Sequence, residues 1–189
     1  MSDADGVDGG VLVCHHDESM RTAYERTLAD HGFRVLTVSK PGDVPDLTET
    51  DVRAVVLSRD TPRVSPGELH DRLEGTHARV ALVVPFDAET PAVERLPDRV
   101  DECLSDPVAD ERLVAAVERL LGRAEYDARL RRCFDLARRV ACAEADSDTD
   151  ASEVRVLRDR LSRLRAELDD VDDDIGAVDR FAVAAEADP

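Results

Sequence analysis

The chain has 189 residues and a formal net charge of -18, with 43 acidic against 25 basic side chains. A hydrophobic fraction of 42% supplies a core and excludes wholesale disorder, while the acid excess argues against non-specific binding to a phosphate backbone, which needs a basic surface. No signal-peptide pattern opens the sequence and no apolar run approaches a membrane span, so the expectation is a cytoplasmic protein without membrane contact and with reduced thiols.

Lys40 is the only lysine. Acid excess without lysine suits a salt-loaded cytosol, where screening removes self-repulsion; a GC-rich coding bias is the plainer account of the missing lysine. Aromatics make up only 3% of the chain, so the core must be built from Val, Leu and Ala. Cys14, Cys103, Cys133 and Cys142 show no metal-ligand spacing; Cys14 and Cys103 lie in apolar runs and read as core residues.

In chain order, residues 1–9 are acidic and Gly-rich, a flexible tail. Val11–Cys14 is a continuous apolar run, the pattern of a buried parallel strand. Met20, Tyr24, Thr27 and Leu28 recur at helical spacing, with Gly32 as the stop. "FRVLTV" is a second strand, and "PGDVPDLTET" holds a short, weak helix. "RAVVLS" (Arg53–Ser58) is a third strand. "SPGELHDRLEG" reads as a helix with Ser65 as N-cap, Pro66 at its first position and Gly75 at its end. "RVALVV" (Arg79–Val84) is a fourth strand, "AETPAVERL" a short helix, and "RVDECLS" a fifth strand. "DERLVAAVERLLGRAEY" begins a clear amphipathic helix. Strands alternating with helices predict an α/β fold with a five-stranded parallel, doubly wound sheet. Functional residues in such sheets stand at the carboxyl ends of the strands.

Past Gly122 the pattern changes. Leu130, Phe134, Ala137 and Ala141 make a helical stripe, an acidic break follows, and Asp150 stands three residues before Glu153 as a helix cap. Val154, Leu157, Leu161, Leu164, Leu168, Val171, Ile175 and Val178 then form a heptad seam, which predicts a C-terminal α-helical hairpin or a coiled coil. Arg129, Arg131, Arg132, Arg138 and Arg139 make the first of these helices locally basic. They serve either contact with DNA or a nucleotide-bearing partner, or pairing with the acidic second helix and its "DDVDDD" run, and the acidity of the chain favours the pairing.

"VLV" before a loop, "VVLS" before "RDTP" and "LSDPV" before a helix resemble a response-regulator receiver domain, of flavodoxin-like fold, over residues 10–121. "RAEYD" and "LRAELDD" resemble the HalX helical domain of haloarchaeal regulators, over residues 122–180, with a tail at 181–189. The receiver resemblance implies phosphoryl transfer to an aspartate, Mg²⁺ held by carboxylates, a lysine paired with the phosphoryl group and a hydroxyl that reads it.

In this sequence the carboxylate pair falls on His15 and His16, the acceptor on Ser58, the hydroxyl on Val84 and the lysine on Asp106, with Pro107 kept. Every reacting position has departed. The resemblance therefore implies a pseudo-receiver: no enzyme, no catalytic residue, no cofactor. Its partners would be proteins, such as a histidine kinase or a transcription component, or a second copy of the chain. The contact face would be that of the fourth helix, fifth strand and fifth helix, the one receivers use for association.

Alternative readings are a transcriptional regulator touching DNA through the helices and a residual acidic site at Asp17 and Asp60. His15 and His16 also raise a metal site, which would need ligands from other loops, since His31, His70 and His77 lie elsewhere. A pH-responsive pair and a plain packing role are the remaining readings.

Overall fold

The structure, a computed structural model, describes residues 9–59, 76, 78–85, 100–146 and 150–185, with the side chains of Pro41 and of residues 169–185 left out. The expected helices at 65–75 and 88–95, together with Asp60, His70 and His77, lie outside the described residues.

Five strands form one all-parallel sheet: β1 (Gly10–Cys14), β2 (Arg34–Val38), β3 (Val52–Ser58), β4 (Arg79–Pro85) and β5 (Val100–Asp106). Their order is β2-β1-β3-β4-β5, the doubly wound arrangement expected from the sequence. Strand periodicity sorts the side chains onto two faces. Val11, Val13, Val56 and Val83 pack with Tyr24 and Leu28 of helix α1 (Glu18–Asp30) and with Leu113, Val117 and Leu120 of helix α2 (Asp110–Ala145). Leu12, Cys14, Val55, Leu57, Val80 and Leu82 face the other side, against Val44 and Leu47.

Local signals explain the ends of α1. Asp17 caps its start by accepting from the Met20 N–H at 3.0 Å. At its end Gly32 takes a φ of 86°, and the N–H groups of Gly32 and Phe33 donate to the Ala29 and Leu28 carbonyls at 2.9 and 3.1 Å. Phe33 then packs against Leu28 in the core, completing a Schellman closure that a Cβ at Gly32 would strain.

Cys103 is exposed rather than a core residue, because β5 is an edge strand and its core-facing residue is Leu104. The weak helix after β2 is a single 3-10 turn, Pro41–Asp43, in a Pro- and Asp-rich stretch poor in helix formers. The expected tail from 181 is helical as far as Ala185, where Ala and Val offer no helix breaker.

The chain divides into two compact units, Met1–Ala124 and Glu125–Pro189. In the second, residues 125–145 of α2 and helix α3 (Ala151–Ala185) form a hairpin. Leu157, Leu161 and Leu168 pack with Cys133 and Val140, and half-buried Leu164 joins them, as the heptad seam requires. The seam's Val171, Ile175 and Val178 have side chains outside the described residues. Asp150 caps α3, its carboxylate accepting from the Ser152 N–H at 3.0 Å and hydroxyl at 2.7 Å.

On α2 the inward stripe is Leu130, Cys133, Ala137 and Val140, so the expected stripe is half wrong: Phe134 and Ala141 are exposed. The expected pairing of the α2 arginines with the "DDVDDD" run falls on side chains outside the described residues. Arg129 and Arg138 pair within their own helix, with Glu125 and Asp135. Arg131, Arg132 and Arg139 are exposed without an ion pair among the described residues. The ion pair seen between the helices runs from Arg158 to Glu144, at 2.6 Å. No described helix is long and apolar enough to cross a membrane.

Candidate functional site

The register of the parallel sheet gathers the sequence-predicted site residues at one edge. Cys14 pairs with Leu57, which sets His15 level with Ser58; Ser58 pairs with Val83, and Val84 and Pro85 pair with Ser105 and Asp106. His15, Ser58, Val84 and Asp106 therefore all stand at the carboxyl ends of their strands. His15, Ser58 and Val84 are buried, Asp106 is half-buried and His16 is exposed.

His15 is only 3% exposed. Its N–H holds the Val38 carbonyl at 3.2 Å, and its carbonyl accepts from Arg21 Nη1 at 2.9 Å. Nδ1 accepts from the Asp17 N–H at 3.1 Å, an arrangement that assigns the ring proton to Nε2. Nε2 is buried and has no hydrogen-bond partner among the described residues. The ring stacks on His16 at 5.1 Å and meets the edge of Tyr24 at 5.8 Å. Burial holds the His15 pKa below the ordinary 6.5, with His16 acting in the same direction and the carboxylates of Asp106 and Asp17 opposing. The ring is neutral at pH 7.

The Tyr24 hydroxyl donates to Asp106 Oδ1 at 2.8 Å, and burial, then Asp106, raises its pKa far above the usual tyrosine range. One turn on, the Thr27 hydroxyl donates to Asp110 Oδ1 at 3.0 Å. Two side chains of α1 thus fasten onto the last residue of β5 and the first of α2. Cys14, pushed up to about 11 by burial and then Asp43, is an inert thiol.

The receiver resemblance implies Mg²⁺, and the described residues do not fit it. A hard cation wants several oxygen ligands. Here His15 and His16 stand at the end of β1, the Asp17 carboxylate caps α1, and Asp106 is held by Tyr24. Among the described residues no three His, Cys, Asp or Glu side chains converge to hold a metal ion. Asp17 therefore serves helix α1, and its proposed companion Asp60 lies outside the described residues.

Sequence reasoning missed Tyr24 and Arg21 as site residues. Tyr24 read as one more apolar stripe position. The missed signal is chemical: a buried tyrosine hydroxyl needs an acceptor, and α1 offers none at that depth.

Comparison with known proteins agrees with the fold. Residues 122–185 match the HalX domain family. No curated protein matches the chain. Among solved structures, a response regulator receiver domain protein from Clostridium thermocellum superposes with a TM-score of 0.55 at 20% identity, over 62% of this chain and 97% of that one. A CheY-like receiver domain protein from Methanospirillum hungatei JF-1 gives 0.56 at 14% identity, over 63% and 98%. A structure described as adenylate cyclase from Rhodopirellula baltica gives 0.61 at 13% identity, over 68% and 98%. The N-terminal unit has the receiver fold, and a HalX domain follows it.

Proposed function

We propose that this receiver fold joined to a HalX domain is a non-enzymatic regulator of the response-regulator type. Its receiver unit works without phosphorylation, and its output is binding to a protein partner. The observation that carries this reading is the Tyr24–Asp106 hydrogen bond. The resemblance puts a phosphoryl-pairing lysine at position 106. A carboxylate stands there instead, satisfied by a buried phenol. A carboxylate at that place repels a phosphoryl group rather than neutralising it. Neutral His15 and exposed His16 in place of the metal-holding acids, Ser58 in place of the acceptor and Val84 in place of the reading hydroxyl support the same conclusion.

Incubation with acetyl phosphate and Mg²⁺ tests it. The expected result is no label. Stable, Mg²⁺-dependent labelling of the wild type that is lost in Asp60→Asn would replace the reading with a displaced phosphorelay receiver. Partners of the kind that two-component proteins meet, a histidine kinase or a transcription component, follow from this reading.

A second reading is favoured by one observation: Arg131, Arg132 and Arg139 are exposed without ion pairs among the described residues. On that basis the HalX helices contact DNA and the protein regulates transcription directly. A mobility shift on duplex DNA that weakens steeply with salt would support it.

A further inference from the structure

We draw no further inference here: the strongest candidate, the exposed Phe134 face of α2, carries nothing because nothing in the structure shows what covers it.

Discussion

Protonation of His15 should destabilise the receiver unit in a window that the structure defines. The ring is buried, stacked on His16, edge-on to Tyr24, and uses Nδ1 to accept from the Asp17 N–H. A second proton must go to Nδ1, where it would meet that N–H head-on. Loss of hydration on burial is the largest effect, His16 adds to it, and the carboxylates of Asp106 and Asp17 only partly offset them. The folded pKa therefore lies below the ordinary 6.5.

Between those two values the unfolded chain binds a proton that the folded chain does not. The contribution is fully present above about pH 6.5 and is lost as pH falls toward the folded pKa. The slope for one group is at most about 1.4 kcal/mol per pH unit, and the curve levels off below the folded value. His15→Asn offers an oxygen where Nδ1 accepts and cannot titrate. Urea unfolding in molar KCl, followed through backbone resonances of β3, should give a difference between wild type and variant that is flat above pH 7. Below pH 6.5 it should move in favour of the variant. Parallel stability curves from pH 7.5 to 5 would refute the assignment of a buried, neutral ring.

Two further outcomes follow from the second unit. Leu161→Ala should lower stability by about 2–5 kcal/mol, as for a buried core leucine, and Leu164→Ala by less because Leu164 is half-buried; unchanged melting of both at fixed concentration would mean that the seam does not pack. Lowering salt should loosen the hairpin before the sheet. Asp169, Asp170, Asp172, Asp173 and Asp174 crowd like charge on α3, and the Debye length grows from about 3 Å at 1 M to about 30 Å at 0.01 M. Equal hydrogen-exchange protection of residues 150–180 in dilute buffer and in molar KCl would defeat that charge argument.

The strands were legible because parallel strands buried on both faces are written as continuous apolar runs, and all five stand within a residue or two of where the runs placed them. The leucine seam was legible because its apolar residues recur at heptad spacing along α3. Helix α2 was harder. Its apolar residues occupy two neighbouring lines, and a single sequence does not say which line meets α3, so Phe134 was read as interior and Cys133 passed over. Cys103 failed differently: periodicity cannot tell an edge strand from a central one. At the site, the residue types at the strand ends were readable, but their partners were not. Tyr24 and Asp106 are 82 positions apart, and only the fold reveals that one answers the other.

The four thiols divide in a way that experiments can exploit. Cys14 and Cys133 are buried, whereas Cys103 and Cys142 are exposed, one on each compact unit. A maleimide reagent applied to the unaltered protein should therefore tag those two positions and spare the interior pair. Spin labels or a dye pair attached there would form a ruler between the receiver unit and the hairpin, with no engineered cysteine needed. Any partner, salt step or pH change that rearranges the two units would then register as a change in one measured distance.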